Sequence, residues 1–385
     1  MVSAAVLELK LNTVSISEGV IQHPTADSPA PRSMFQAGIW RRHQCLGEGG
    51  YGSVWLQKRG PACRAVKSMK IGGAYGCKRD TEVPAVRELE TMAQFSQAKY
   101  RGLFVQVFGW WCDVGGGWLD RGVRLNIAME YCKLGDLRTY LRRHPPMKES
   151  DVLELAHQVV AALGFMHEMS FAHRDLKPAN ILIKAIPPRS DWHFALCDFG
   201  LSRSIQGKSI TGYLGTVKYM APEILEFPFL RERREPDPHA ADMWSLGVTL
   251  FEALTRRAPF KETRRLTDLL CSEKLIAASS SFPGHRLQKV GASTDAVDFI
   301  GQLLKPGPLD RLTAVAAPKH EWLLRRSSSG TSRGEGGKTN DTAAAESSTS
   351  AFHAPEDISG ASGVWTATPQ KKLPEKGFLA ILKEE

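Results

Sequence analysis

One short run, His173–Asn180 (HRDLKPAN), constrains this chain more than any other part of its sequence. Within eight residues it brings together a carboxylate at Asp175, a cation at Lys177 and an amide at Asn180. We interpret the run as one short polar loop. Three polar groups of different chemistry on such a loop indicate a functional site, and the interpretation of the remaining motifs depends on it.

A glycine-rich motif of the form GxGxxGxV lies earlier in the chain. Its glycines let backbone N–H groups approach phosphate oxygens without interference from a Cβ atom. The same spacing also marks dinucleotide-binding folds, in which a helix follows directly. Here β-branched and aromatic residues follow, so a hairpin over phosphates fits better, although the motif alone is about equally consistent with a plain glycine-rich turn. The motif consists of Leu46, Gly47, Glu48, Gly49, Gly50, Tyr51, Gly52, Ser53 and Val54.

Lys67 is a second candidate for phosphate binding, because it ends the apolar run Ala65–Val66 shortly after the glycine motif. Taken alone, such a lysine is usually a strand emerging into water. After a glycine-rich loop it becomes a candidate cation for the α- and β-phosphates of a nucleotide, and it then needs an anion to orient it. Glu88 and Glu90 both lie on a helix predicted around residues 84–95, and the helix period alone does not choose between them.

Three further motifs follow the polar loop in a fixed order. They are Asp198–Gly200 (DFG), Ala221–Glu223 (APE) and Asp242–Gly247 (DMWSLG). Together with the glycine motif, Ala65-Val66-Lys67 and the polar loop, they resemble the eukaryotic protein kinase family over about residues 40–324. The resemblance implies an α+β, bilobal protein kinase fold, with a small sheet-rich N-lobe and a larger helical C-lobe.

The resemblance also implies roles for the charged residues. Phosphoryl transfer needs positioned reactants and neutralised charge more than it needs covalent help. Asp175 is the implied catalytic base for the acceptor hydroxyl. Lys67, held by Glu88, is implied to position the α- and β-phosphates of ATP. Lys177 is implied to offset charge at the transferring phosphate.

Cofactor sites follow from the same resemblance. Asn180 and Asp198 offer hard oxygen atoms and are the implied Mg²⁺ ligands. The residues implied to line the adenine and ribose pocket are Met129, Glu130, Cys132 and Asp136. Cys197 is expected near this pocket as a small buried hydrophobe.

Two scaffold contacts are implied as well. Glu223 and Arg311 resemble a buried ion pair that fastens the substrate loop to the helical lobe. Asp242 resembles the carboxylate that fixes the backbone of the catalytic loop. We expect both contacts to hold the site in place without taking part in the chemistry.

Serine and threonine are the predicted acceptors. Lys177 and the Gly215-Thr216 pair have the form found in serine/threonine kinases, whereas Val217–Met220 has some likeness to tyrosine kinases, so dual specificity stays open. A pseudokinase or nucleotide-binding scaffold is the main alternative, and it is disfavoured because Lys67, Asp175 and the two candidate metal ligands are all present. A small-molecule phosphotransferase is disfavoured by Ala221–Glu223, which serves peptide substrates in the family.

The chain is predicted to divide into a mobile leader (1–36), a kinase domain (37–324) and a mostly disordered tail (325–385). The N-lobe is expected at about 37–131 and the C-lobe at about 132–324. Short apolar runs broken by glycine predict strands in the first lobe. Apolar side chains at helical spacing predict a helix from Asp151 to His167, with Ser150 as a plausible cap. A second, more buried helix is predicted near Trp244–Leu254.

Composition excludes several other classes. A net charge of +9 without a basic tract interleaved with aromatics favours a solvated basic surface over nucleic-acid binding. The seven cysteines form no CxxC pair, and no run of 18 apolar residues could span a bilayer. The start of the chain lacks the pattern of a secretory signal. We expect a protein of the cytoplasm or nucleus, a monomer by default, that acts on protein substrates.

Overall fold

Among the residues that the computed structural model describes, strands dominate the first third of the chain and helices dominate the later part. The structure describes residues 4–17, 19–23, 38–49, 52–72, 89–95, 102–114, 123–198, 203–204, 217–226, 237–260 and 282–325. Within these residues, no helix is both long and apolar enough to cross a bilayer.

Seven strands form one antiparallel sheet. Their bounds are β1 Val14–Ser17, β2 Val20–His23, β3 Gly38–Gly49, β4 Gly52–Arg59, β5 Ala62–Gly72, β6 Val107–Val114 and β7 Val123–Glu130. Their order in the sheet is β1-β2-β3-β4-β5-β7-β6. The strands predicted around Trp55, Val66 and Ile127 are confirmed. Because side chains alternate across a strand, Val66 and Lys67 point to opposite faces of the sheet.

The first residues of the chain differ from the prediction of a mobile leader. Helix α1 (Ala4–Glu8) precedes β1 and β2, and β2 pairs with β3 along residues 38–41. Ile21 lies in a buried cluster with Trp40, Val66 and Trp111. The sequence pattern missed this because a two-stranded segment gains its stability from a sheet that lies elsewhere in the sequence. Residues 1–3, 18 and 24–36 of the predicted leader lie outside the described residues, as does the predicted tail from residue 326 onward.

Helices form most of the second part. Their bounds are α2 at 89–95, α3 Leu137–Arg143, α4 Glu149–Glu168, α5 Pro222–Glu226, α6 Pro238–Thr255, α7 Gly284–Lys289, α8 Thr294–Leu303 and α9 Glu321–Leu324. The described residues also contain four short strands: β8 Phe171–Ala172, β9 Ile181–Ala185, β10 His193–Leu196 and β11 Arg203–Ser204. The two long helices near Asp151 and Trp244 are confirmed.

The helical part is organised around α4 and α6, which pack against each other. Leu155, Ala156 and Leu163 are fully buried on α4, as the apolar spacing predicts. The predicted cap is wrong: α4 begins at Glu149, so Ser150 lies inside the helix, and Lys148 is the cap residue without a side-chain hydrogen bond. Glu149 instead accepts hydrogen bonds from the backbone N–H and hydroxyl of Ser293, at 2.7 and 2.6 Å, and this tertiary contact fixes the start of the helix.

Candidate active site

The two parts of the fold meet at an ion pair. Lys67 on β5 places its Nζ 2.8 Å from Oδ1 of Asp198, which lies just beyond β10. Lys67 is buried, whereas the Asp198 side chain is 39% exposed. Burial by itself raises the pKa of Asp198, but the adjacent Lys67 ammonium outweighs it and the pKa is lowered. Asp198 is therefore a carboxylate at neutral pH, open on one side to a ligand.

Asp175 sits in a small polar network on the loop between β8 and β9. Its Oδ2 accepts hydrogen bonds from Lys177 Nζ at 2.7 Å and from Asn180 Nδ2 at 3.1 Å. The Asn180 amide also donates to the backbone oxygen of Asp175 at 2.8 Å. Among the described residues, Oδ1 of Asp175 accepts no hydrogen bond. One carboxylate oxygen is thus held in place, and the other accepts no hydrogen bond from the described residues.

Strand pairing brings Asn180 and Asp198 together. Asn180 directly precedes β9, Asp198 follows β10, and the antiparallel register pairs Ile181 with Leu196. The backbone N–H of Cys197 donates to the Asn180 carbonyl at 3.0 Å. His173 is fully buried, and its Nε2 lies 3.1 Å from the Cys197 carbonyl. The polar loop His173–Asn180, called the catalytic loop below, is therefore joined to the segment around Asp198 by the β9–β10 hairpin and two hydrogen bonds.

Asp242 on α6 holds the other side of the catalytic loop. Its carboxylate accepts hydrogen bonds from the backbone N–H groups of His173 and Arg174, both at 2.8 Å, and lies 3.0 Å from His167 Nε2. Burial favours the protonated form of Asp242, but the hydrogen bond with His167 and its charge lower the pKa. Arg174 has a φ of 63°, a left-handed conformation that costs a non-glycine residue energy and is maintained by these bonds. The predicted role of Asp242 agrees with this geometry.

The glycine-rich motif forms the β3–β4 hairpin beside Lys67. Val54 pairs with Lys67 and Gly49 pairs with Gly52, so the hairpin runs along the strand that carries the lysine. Gly52 has a φ of 126°, and a Cβ there would lie 2.1 Å from the backbone oxygen of Ser68. Only glycine fits this position. Gly50 and Tyr51 lie outside the described residues.

The predicted adenine-side residues lie at the end of β7 and directly after it. Met129 is buried and pairs with Ala65, and Glu130 forms an ion pair with Lys184 at 2.8 Å. Burial raises the pKa of the Cys132 thiol to about 12. Burial also raises the pKa of Cys197, so both thiols are neutral, in agreement with a packing role.

Asp136 caps helix α3. Its two carboxylate oxygens accept hydrogen bonds from the backbone N–H and the hydroxyl of Thr139, at 2.8 and 2.9 Å. This cap gives the carboxylate a structural task that the sequence analysis did not foresee. The ribose contact implied for Asp136 stays a prediction.

Arg311 and Glu223 form the expected ion pair, with two parallel contacts of 2.5 and 2.6 Å. Arg311 is also hydrogen-bonded to the backbone oxygens of Ala240, Lys305 and Pro306. The guanidinium therefore ties the start of α5 to α6 and to the segment before α9.

The family model for the protein kinase domain matches residues 40–323, which is most of the chain. The chain belongs to the protein kinase family. The family and the bilobal α+β fold predicted from the sequence are both confirmed.

The chain is similar in sequence to several proteins that are named as serine/threonine-protein kinases. The chain is 32% identical over 206 residues to serine/threonine-protein kinase ATG1c of Arabidopsis thaliana, over 53% of this chain and 26% of that protein. It is 33% identical over 204 residues to serine/threonine-protein kinase 17A of Oryctolagus cuniculus, over 52% of this chain and 48% of that protein. The match therefore spans half or less of each of these relatives.

A solved structure shares the fold. The crystal structure of Rad53 1–466 in complex with AMP-PNP superposes with a TM-score of 0.56 at 26% identity, over 74% of this chain and 65% of that chain. The kinase domain of Rad53 crystallised with SCD2 gives the same TM-score at 25% identity and covers 76% of this chain.

Some predicted kinase residues lie outside the described residues. They are Glu88, Phe199, Gly200, Gly215 and Thr216, together with the two positions at the tip of the glycine hairpin. The pairing of Lys67 with Glu88 therefore stays a prediction, and the described anion at Lys67 is Asp198.

The sequence analysis missed a contact between the segment Val217–Tyr219 and helix α6. Glu252 on α6 accepts hydrogen bonds from Lys218 Nζ at 2.7 Å and from the Tyr219 hydroxyl at 2.6 Å. More than 30 residues separate the partners, and no motif marks the pairing. Only the position of α6 beside Val217–Tyr219 brings them together.

Proposed function

We propose that this kinase transfers the γ-phosphate of ATP to serine or threonine hydroxyls of protein substrates, with Asp175 as the catalytic base. The main observation behind this proposal is that charged and polar side chains from both parts of the fold lie close together. They are Lys67, Asp175, Lys177, Asn180 and Asp198. The names of the relatives support the acceptor class, and the AMP-PNP complex of Rad53 supports an adenine nucleotide as the donor.

The residues present fit a magnesium ion. Within the described part of the chain, no group of three or more His, Cys, Asp or Glu side chains is arranged to hold a metal ion, so these residues form no complete cage. Asp198 and Asn180 offer two hard oxygen donors, and Mg²⁺ in nucleotide sites typically takes one or two protein ligands plus phosphates and water. When bound, the ion would neutralise phosphate charge and orient the phosphates.

The charged residues have separate tasks in the proposed transfer. Asp175 orients the acceptor hydroxyl and takes its proton through Oδ1, since Oδ2 is already held by Lys177 and Asn180. Lys67 is placed to contact the nucleotide phosphates from the sheet side, and Lys177 contributes positive charge near the acceptor. A low-dielectric cleft strengthens each of these interactions relative to water.

A small cavity lies beside Asp175, and its lining includes Leu176, Met220, Ala221 and Ile224. The choice of a polypeptide acceptor rests on the names of the relatives, which are serine/threonine-protein kinases.

The test is transfer of labelled phosphate from ATP to a generic protein substrate, with Asp175→Asn and Asp191→Asn compared with the parent. Asp191 is an exposed aspartate on the loop before β10, so its variant controls for the substitution itself. Because a positioned base contributes about 10²- to 10⁴-fold, we expect Asp175→Asn to lose at least that much activity while its circular dichroism stays unchanged. Acid hydrolysis should release phosphoserine and phosphothreonine.

Three other results would overturn the proposal or change a part of it. Nucleotide binding by the parent without any transfer would favour the scaffold alternative. Full activity of Asp175→Asn would remove Asp175 as the base. Phosphotyrosine alongside phosphoserine would change the acceptor class to dual.

A further inference from the structure

The first residues of this kinase reach both edges of the large sheet. At the outer edge of β6, Leu11 donates to the Trp110 carbonyl at 2.8 Å and Trp110 donates to the Leu9 carbonyl at 2.9 Å. At the opposite end of the sheet, β1 and β2 extend it beyond β3. Leu11 and Val14 are three residues apart, a span of at most about 11 Å. The sheet must therefore curl until its two ends lie side by side.

We call the described residues 4–23 the N-terminal clasp, because they join these two ends. The clasp contributes buried side chains of its own: Val6, Leu9 and Ile21 are at most 8% exposed. The indole N–H of Trp110 donates to the Val6 carbonyl at 2.7 Å. The whole clasp precedes the part matched by the family model, which begins at residue 40.

His23 links the clasp to the interior of the sheet. Its Nδ1 lies 3.1 Å from the Asn12 carbonyl and 2.8 Å from the Thr13 hydroxyl, where the clasp crosses between the two ends. Its Nε2 lies 2.9 Å from the Arg64 guanidinium, and its ring packs against Trp111 on β6. Since Arg64 can only donate, Nε2 accepts this bond and Nδ1 carries the ring proton.

Arg64 extends the link to the strand that carries Lys67. It is fully buried on β5, three residues before Lys67, and donates twice to Gln57 Oε1 on β4 at 3.0 and 2.8 Å. Its guanidinium carbon lies 4.2 Å from the ring centre of Trp40 on β3. Arg64 thus joins β5 to β3, β4 and the clasp.

Strand pairing alone leaves the curvature of the sheet soft. Hydrogen-bond ladders fix β5 between β4 and β7, but twist and coil vary widely between sheets. A connection between both edges fixes that curvature. It therefore also fixes the position of Lys67 relative to Asp198. A displacement of about 1 Å at such a group can cost a large factor in activity.

We propose that the N-terminal clasp sets the position from which Lys67 reaches the nucleotide phosphates, and that His23 and Arg64 are positioning residues that act through it. The nucleotide part of this inference rests on the proposed function, whereas the mechanical part does not.

The experiment uses the full-length chain with His23→Leu, His23→Gln and the control His320→Leu. Leucine keeps the bulk of His23 but cannot accept from Arg64, whereas the glutamine carbonyl can. His320 lies in the helical part, and its Nε2 is 3.0 Å from Oδ2 of Asp298. The control variant therefore removes a hydrogen-bonded histidine far from the clasp. Magnesium-ADP affinity is measured by calorimetry, and protection of β5 amides by hydrogen exchange.

We expect His23→Leu to weaken ADP binding about tenfold and to speed exchange in β5, because a tenfold change needs only a small loss of alignment energy. His23→Gln should stay within about twofold of the parent. His320→Leu should lower the melting temperature while ADP affinity and β5 exchange stay at parental values. A purely structural role would lower the melting temperature alone.

The proposal is overturned if folded His23→Leu shows parental affinity and parental β5 exchange, or if His320→Leu weakens ADP binding equally. If the parent binds no ADP, the proposed function fails, and β5 exchange in His23→Leu still decides the clasp. Should His23→Leu not fold, Gly109→Ala loosens the clasp from its other edge. A Cβ at Gly109 would lie 2.5 Å from Leu11 Cγ, and the same losses are expected. Parental values in that variant would also overturn the proposal.

Discussion

At the residue scale, the catalytic loop depends on one buried carboxylate. Asp242 accepts two backbone N–H groups from the loop and contacts His167, and it is 1% exposed. Hydrogen bonds to a buried charge are stronger than neutral ones, and an unsatisfied buried donor is costly. Residues of the loop therefore owe their backbone conformation to a side chain about 70 positions away.

Asp242→Asn should be strongly destabilising. Asparagine turns one acceptor into an NH₂ donor that faces a backbone N–H, so we expect a loss of about 2–4 kcal/mol in the free energy of unfolding. Urea denaturation measures it. The matched control is Asp237→Asn at the cap of the same helix, where asparagine caps as well as aspartate and the expected change is about zero. Equal losses in the free energy of unfolding for the two variants would show that the contacts of Asp242 with the loop do not contribute more to stability than an ordinary helix cap.

His23 should make stability depend on pH. Burial and the adjacent Arg64 lower the pKa of His23 from 6.5 to about 4. Between these values the unfolded chain binds a proton that the folded chain does not, so stability is fully present above about pH 6.5 and falls as the pH drops toward 4. The loss from this residue is on the order of 3 kcal/mol.

The comparison of the parent with His23→Gln isolates this contribution, because glutamine does not titrate. Unfolding by urea at pH 7 and pH 4.5 should show the stability gap between the two proteins shrinking as the pH falls. The lowered pKa of His239 acts equally in both and cancels. A gap that stays constant would mean that His23 does not titrate in this window.

At the element scale, helices and strands bring together groups that local sequence keeps apart. The β9–β10 hairpin brings Asn180 beside the Asp198 segment, and α6 supplies Asp242 to the catalytic loop. Arg311 connects α5, α6 and the segment near Lys305 through one guanidinium. Its side chain is 1% exposed and that of Glu223 is 15% exposed, so the pair is largely removed from water.

The Arg311–Glu223 pair should show strong coupling in a double-mutant cycle. Breaking a buried pair from one side leaves an uncompensated charge, so Arg311→Met should cost about 3–5 kcal/mol. The double variant Arg311→Met/Glu223→Gln removes that charge and should cost clearly less than the sum of the two singles. Chemical denaturation of the four proteins gives the coupling energy. Additive losses would indicate that the two side chains act independently.

At the scale of the whole molecule, Lys67 and Asp198 connect the sheet-rich and helical parts. The 2.8 Å contact joins residues 131 positions apart and lies beside the glycine hairpin. A ligand that binds both groups should stabilise the two parts together, because binding to the folded state alone shifts the unfolding equilibrium.

Magnesium-ATP should therefore raise the melting temperature. At 100 times its dissociation constant the stabilisation is about 2.7 kcal/mol. Chelation of magnesium with EDTA should remove most of the shift, and Asp198→Asn should remove the magnesium-dependent part. Asp191→Asn, on an exposed loop, serves as the control and should respond like the parent. A shift of the same size with and without magnesium would exclude Asp198 and Asn180 as its ligands.

The candidate site could be predicted largely because its residues lie in short motifs. Asp175, Lys177 and Asn180 lie within six positions, and glycines mark the hairpin through their backbone freedom. Glu252 with its lysine and tyrosine partners could not be found this way, since each of these residues is ordinary in its local context. The cap of α4 was misassigned because Glu149 is fixed by Ser293, far along the chain.

The sequence by itself determined the family, the division into a sheet-rich part followed by a helical part, and the residue types available for phosphoryl transfer, since motif spacing and apolar periodicity are local properties. Only the tertiary structure decided that β1 and β2 belong to the large sheet, and that Arg64 and His23 meet inside it. These contacts depend on burial, and burial depends on which distant segments pack together. A buried arginine bonded to histidine and glutamine has no local signature, because its stability arises from the neighbours that exclude water around it.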